Sequence, residues 1–268
     1  MEVIEGASLA GTIWANKDLI KIIYEDVAQP STRSVGKALG LVFDFSMNYL
    51  QYLGERQKVL LGKRIEEYRS KICNIPEEKI VEVPPEIGVP VLQRLTYTTN
   101  DELANLFLEL LKTASSTDTI QLAQPRFIQI IEALSVDEAR IIHYLRKQEY
   151  FPYFYLRAKN WVVLKHEEYN FTSNITGIEK RIDLMFPDNM QAYLDNFIGL
   201  SLIHNESPLQ LSKRQIYTEL LSLYNVGAMI NDHKKIKPEA VISRKMSYYL
   251  ITDFGLSFIK CCCPNTSD

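Results

Sequence analysis

Histidine and cysteine are scarce in this chain, and those present are poorly spaced for chemistry. His143, His166, His204 and His233 stand far apart with no second ligand at metal-binding spacing, so no metal centre is expected. Cys73 and the run Cys261, Cys262, Cys263 make neither a C-x-x-C pair nor a regular disulfide framework. A reducing, cytoplasmic setting fits that usage, and the sequons at Asn170, Asn174 and Asn205 are then chance matches. Long apolar runs are also missing. The most apolar stretch, Ala38 to Leu53, is broken by Asp44, Asn48 and Gln51 and falls short of the roughly 18 to 20 residues that a membrane span needs. The first residues lack a basic start followed by an apolar block, so they do not read as a signal peptide. Positive charge is not in excess, with 30 Lys and Arg against 33 Asp and Glu and a net charge of -3. That balance argues against a protein that coats nucleic acid non-specifically, and leaves room for local basic patches. None of the patterns G-x-x-x-x-G-K-[ST], G-x-S-x-G, H-E-x-x-H or G-x-G-x-x-G occurs, so no catalytic residue and no cofactor is assigned.

What is present is enough apolar residue, 46%, for a real core, arranged mostly at helical spacing. Lys17 to Ala28 places Leu19, Ile22, Ile23 and Val27 on one face before Pro30 stops it. A second helix carries Val35, Ala38, Leu39, Val42, Phe43, Met47, Leu50 and Leu53. Its Gly36 and Gly40, four apart, read most simply as glycines of a core helix that another helix can approach. Gln57 to Ile72 is a charged helix. Pro76, Pro84, Pro85 and Pro90 then hold Asn74 to Pro90 largely extended, with a short helical turn at Pro76 to Glu78 and with Ile80, Val81, Val83, Ile87 and Val89 as anchors. Asn100 caps a helix whose Leu103, Leu106, Phe107, Leu110, Leu111 and Ala114 form one apolar stripe. Ser135-x-x-Glu138 is a capping box. The texture changes at Tyr150 to Lys165, where aromatic and β-branched residues read as strand. The fold class expected is mainly α (α+β): an N-terminal helical bundle followed by a winged-helix-like module with a small antiparallel sheet. The division expected is a flexible tail at 1–16, a helical domain at 17–133 with its strap at 74–90, a winged-helix-like domain at 134–260 with an inserted helix at 212–225, and a tail at 261–268.

The second half resembles a winged helix-turn-helix over roughly Leu134 to Lys260. The likeness rests on the capped helix at Ser135, a helix ending Leu194-x-x-Phe197-Ile198-Gly199-Leu200, and the closing Tyr249-Leu250-Ile251-Thr252-Asp253-Phe254-Gly255. Before that closing strand lie Lys234, Lys235, Lys237, Arg244 and Lys245 against the single acid Glu239, a basic wing suited to phosphate contact. The helix from Asp188 to Ile198 offers Asp188, Asn189, Gln191, Asp195 and Asn196 and no cation, which disfavours base-specific reading.

Several segments together are similar to the bacterial Abi-alpha family, a domain of unknown biochemical activity named for abortive infection. They are Tyr24-Glu25-Asp26-x-x-x-Pro30, Val35-Gly36-x-x-Leu39-Gly40, Ile75-Pro76-Glu77-Glu78-Lys79-Ile80-Val81-Glu82-x-Pro84, and Pro90-x-Leu92-x-x-Leu95-x-Tyr97-Thr98. Leu103-x-x-Leu106-Phe107-x-x-Leu110-Leu111 and Phe127-Ile128-x-Ile130-Ile131-x-x-Leu134-Ser135-x-Asp137-Glu138-Ala139 continue the likeness. Val83 stands where a proline is expected, and Ile251 separates Leu250 from Thr252. The resemblance implies a bacterial antiphage defence protein and supplies no catalytic residue. The expectation is a non-enzymatic protein acting through macromolecular interaction, with DNA at the basic wing, a protein partner or a second copy as partners, and no stable membrane span. The alternatives are a winged-helix DNA-binding transcriptional regulator and a membrane-active effector in which Val35 to Leu53 unpacks onto a bilayer.

Overall fold

The computed structural model describes residues 33–162, 165–212 and 214–264. The expected tail at 1–16 and the helix at Lys17 to Ala28 lie outside those residues. The chain forms two compact units: the described residues up to Ala139 with those from Phe258 onward, and Arg140–Ser257. Both divisions fall inside helices, where the sequence reading has them at 133/134 and 260/261.

The first unit begins with α1 (Arg33–Gln51) and α2 (Glu55–Ile72). Val35, Ala38, Leu39, Val42, Leu50 and the following Leu53 are buried, whereas Met47 is exposed. On α2 the buried stripe is Leu61, Ile65, Tyr68 and Ile72, at the i, i+4, i+7, i+11 spacing of one helix face. The strap is shorter than expected. A 3-10 turn spans Glu77–Lys79, and α3 (Pro85–Leu95) starts five residues before Pro90. Pro84 is the extended residue that precedes the helix. Pro85 sits at its first position, where a missing N–H costs nothing. Pro90 lies inside α3, and the carbonyl it leaves unserved, that of Glu86, belongs to an exposed residue that water can reach. The extended remainder is tied down on both sides. Val83 N donates to Ala38 O at 2.8 Å, Val81 N donates to Ser115 O at 2.9 Å, and Ile80 and Val83 are buried.

The close approach between helices falls at Gly88 rather than Gly40. A Cβ at Gly88 would stand 2.2 Å from Val42 Cγ2, whereas one at Gly40 would meet nothing within 4 Å. Next comes α4 (Asp101–Ala114), with Asn100 Oδ1 accepting from Leu103 N at 3.0 Å. Five of its six expected core residues are buried and Leu103 is half-buried; Ala104 and Leu108 are buried as well. The polar loop that follows holds a 3-10 turn, Ile120–Leu122, before α5 (Arg126–Glu132). In α6 (Val136–Leu145) the capping box forms in both directions: Ser135 N donates to Glu138 Oε2 at 2.6 Å and Glu138 N to Ser135 Oγ at 3.3 Å.

The second unit is built on an antiparallel sheet of order β2-β1-β4-β3, made by β1 (Tyr150–Val162), β2 (Lys165–Asn170), β3 (Ile203–Asn205) and β4 (Val241–Ile251). β1 and β4 pair over ten positions from Tyr150↔Leu250 to Lys159↔Val241, so the closing strand begins well before Tyr249. Phe154 and Leu156 form a core with Leu220 of α8 (Arg214–Ser222), and half-buried Val226, Met229 and Ile230 of α9 (Val226–Ile236) pack against it. The helix expected at 212–225 is the shorter α8, and α9 follows it as a second helix outside the expected range. On the opposite face Phe151 stacks on Tyr249 with centroids 5.2 Å apart, and Tyr153 lies 4.7 Å from the same ring. α7 (Met190–Gly199) joins this side through Asn174, whose N–H donates to Gln191 and whose side chain donates to Tyr249 Oη at 2.6 Å. Ser201, not Gly199, takes the left-handed turn into β3, with φ 62°. Thr252 Oγ1 accepts from Gly255 N at 2.9 Å and caps α10 (Asp253–Cys262). A Cβ on Gly255 would meet Leu202 O at 2.1 Å, so only glycine lets α10 start so close to the sheet edge. The three cysteines read as a tail are instead at the end of α10 and just beyond it, and all three are buried.

The described residues are mostly helical, with a four-stranded antiparallel sheet in the C-terminal half. Among the described residues, no helix is long and apolar enough to cross a membrane.

Candidate functional site

The five basic residues singled out in the sequence do not share one loop. Lys234 and Lys235 lie in the last turn of α9, Lys237 just past its end, and Arg244 and Lys245 inside β4. Adjacent strand residues point to opposite faces, so Arg244 and Lys245 do not converge. Lys235 pairs with Asp232 at 2.7 Å. Lys237 stands 4.5 Å above the Tyr169 ring and 3.9 Å from Glu167. Lys234, Arg244 and Lys245 have no carboxylate partner among the described residues. The sequence missed this arrangement because α9 lay hidden in a stretch read as a loop.

Beside Lys237 the second unit carries an aromatic clasp. His233 stacks on Phe171 with centroids 3.9 Å apart and shares a 3.0 Å hydrogen bond with the Tyr169 hydroxyl. It holds the end of α9 to the strand side of its unit. On the far face, burial outweighs the hydrogen bond from Asn174 and pushes Tyr249 up to about 12, so this phenol stays neutral at physiological pH.

Two hollows of the first unit are lined by described residues. The smaller, about 420 Å³, is lined by Asn74, Lys79, Glu109, Lys112, Asp118 and Lys260 among others. Glu109 is nearly buried; its Oε1 accepts from Lys71 Nζ at 2.5 Å, while Oε2 has no hydrogen bond and faces Lys112 Nζ at 3.6 Å. Its charge is thus already matched by two lysines. Burial above all, with Cys261 second, raises the nearby Cys262 thiol well above the ordinary range and keeps it unreactive. The larger hollow, about 580 Å³, has walls that are almost wholly hydrocarbon and is lined by Glu55, Arg56, Val59, Leu60, Lys63 and Tyr97 among others. Sequence reading passed over it. The available signal was Val59, an apolar residue out of phase with the buried stripe on α2.

The first unit exposes further apolar surface on α1. Leu41, Phe45 and Tyr52 follow one another along the outer side of α1 and just beyond its end, and Phe45 and Tyr52 are 69% and 87% exposed. A charge cluster built on one buried cation stands nearby. The Arg64 guanidinium is sealed from solvent, donating to Glu67 at 2.8 Å and to Thr98 O at 3.1 Å and lying 2.8 Å from Asp101. Among the described residues, no group of three His, Cys, Asp or Glu side chains is placed to hold a metal ion.

No curated protein matches the chain. A solved structure of an uncharacterized protein from the hydrocarbon-degrading marine bacterium Alcanivorax borkumensis SK2 is 18% identical. The match covers 55% of this chain and 97% of the other, with a TM-score of 0.31, too low to carry an argument. The family model of abortive infection alpha matches residues 56–262, which takes in α2 with its hollow, the strap, the capped α4 and the whole sheet unit. The chain belongs to the abortive infection alpha family.

Proposed function

We propose that this protein serves abortive-infection-type antiphage defence and that it acts by associating with another macromolecule rather than by catalysis. Family membership over residues 56–262 carries the first part. The exposed Leu41, Phe45 and Tyr52 support the second, because large apolar side chains that face solvent along one side of a helix are typical of contact surfaces. The test is phage plating on cells that express the protein at native level together with its neighbouring genes. Plating should fall for part of a broad phage panel and recover when Phe45 and Tyr52 are both replaced by Asp. Plating that is unchanged across the panel sinks the defence reading. Protection that survives the double replacement sinks the role of these side chains.

The second reading, a winged-helix module that touches DNA, draws on the β3–β4 pair closed by the Thr252-capped helix and on the unpaired Lys234, Arg244 and Lys245. Under it, reversing those three charges weakens binding to duplex DNA and flattens the dependence on salt. Binding that is absent, or indifferent to salt, in the unaltered protein removes this reading.

A further inference from the structure

The larger hollow of the first unit has a composition that specifies a ligand class. Its floor and walls are Val59, Leu60, Tyr97 and the stems of neighbouring long side chains, and Val59 and Tyr97 are 71% and 51% exposed despite being apolar. The surface it offers is almost wholly apolar, and several of its polar groups are already engaged. Gln57 Oε1 accepts from Gly54 N at 3.0 Å, and Thr96 Oγ1 donates to Gln93 O at 2.7 Å and lies 2.9 Å from the Tyr49 hydroxyl. Lys63 pairs with Asp101 at 2.9 Å. A ligand body lying here would meet mainly hydrocarbon, so it must itself be mainly hydrocarbon. The volume, about 580 Å³, falls within the roughly 300 to 1,000 Å³ range of small-molecule sites.

One charged lining group is left without an opposite charge. Arg56, exposed at the start of α2, has no carboxylate partner among the described residues. A guanidinium beside an apolar trough is matched by a molecule with an acyl chain and an acidic head, since planar paired N–H donors suit a carboxylate or phosphate. We propose that this hollow binds an anionic amphiphile, with the acyl chain along Val59, Leu60 and Tyr97 and the acid at Arg56. The chain can come from a free fatty acid or from an acidic phospholipid at a bilayer surface. The proposal stands independently of the role in defence.

The test uses the full-length protein, with dansyl-undecanoate as a fluorescent probe displaced by oleate or by uncharged oleyl alcohol. Parallel flotation uses vesicles of phosphatidylglycerol or of phosphatidylcholine. Expected are saturable binding at one probe per chain and weakening by at least about tenfold in Val59→Asp, which sets a carboxylate against the acyl chain. Arg56→Glu should weaken oleate by about threefold or more and leave oleyl alcohol unchanged. Both side chains are solvent-facing, so an unaltered melting temperature in each variant confirms that folding is not what changed. Flotation with phosphatidylglycerol alone, lost in Val59→Asp, with no displacement by oleate, assigns the chain to a bilayer lipid. Absence of saturable binding in both arms, or a Val59→Asp protein that binds like the unaltered one, overturns the site. An equal loss for oleate and oleyl alcohol in Arg56→Glu overturns the role given to Arg56.

Discussion

Helices α4 and α9 both open on an asparagine whose side-chain oxygen accepts from the backbone N–H three residues later, at 3.0 Å from Leu103 and 2.9 Å from Ala228. Both end with basic residues in the last turn, which suits the negative end of a helix. Their surroundings are opposite. Ala104, Leu106, Phe107, Leu108, Leu110, Leu111 and Ala114 of α4 are all buried, whereas α9 has no buried residue and rests on its unit through half-buried Val226, Met229 and Ile230. Caps and terminal charges therefore define where a helix starts and stops and say nothing of how deeply it sits. Depth follows from the breadth of the apolar surface, a wide face in α4 and a narrow stripe in α9.

That contrast can be broken experimentally. The largest effect is expected from Leu110→Ala in α4, a loss of about 3 kcal/mol in urea denaturation, against about 1 kcal/mol or less for Ile230→Ala in α9. Equal losses would mean that burial does not separate the two helices. Replacing Gly88 by Ala should cost about 1 to 3 kcal/mol, because its new methyl collides with Val42, and adding Val42→Ala should recover part of that loss. Additive losses would place the strain elsewhere. Asn100→Ala should lower global stability by about 1 kcal/mol. Asn225→Ala should instead leave the melting temperature unchanged and speed amide exchange within α9 alone, as expected for a segment that opens locally. Coupled loss of protection in α9 and the whole sheet unit would contradict this.

The smallest effect is electrostatic. Hydrogen bonds from Lys63 and then Arg64 lower the Asp101 carboxyl below its ordinary value. A lowered folded value means that the stabilising contribution is present above the unfolded carboxylate pKa of about 3.9 and fades as pH falls through the folded one. Asp101→Asn should thus flatten the acid limb of the stability profile and change little at low pH. An unaltered limb would show that the cluster around Arg64 does not depend on that charge.

The sequence made local features plain where one residue type answers one physical need. Asn100 and the Ser135 to Glu138 box cap the helices expected of them, and the α4 stripe is core. Strap and wing were harder. Four prolines read as extended chain, yet Pro85 suits a helix start and Pro90 was absorbed into α3, an outcome decided by packing against α1 through Gly88. The basic run before β4 carried no sign of α9, because its apolar residues are few and only half-buried. The hollow under Tyr97 was illegible for another reason. It is assembled from residues about forty positions apart, each unremarkable in its own segment.

The burial of Cys261, Cys262 and Cys263, beside an exposed Cys73, gives the chain an internal reporter of its own opening. A thiol reagent meets one accessible sulfur in the native protein and four when the chain unfolds, and the depth of Cys262 keeps its reactive thiolate scarce until then. Since all three buried sulfurs belong to the unit that holds α4, the slow phase of labelling times the opening of that unit and leaves motions of α9 unseen.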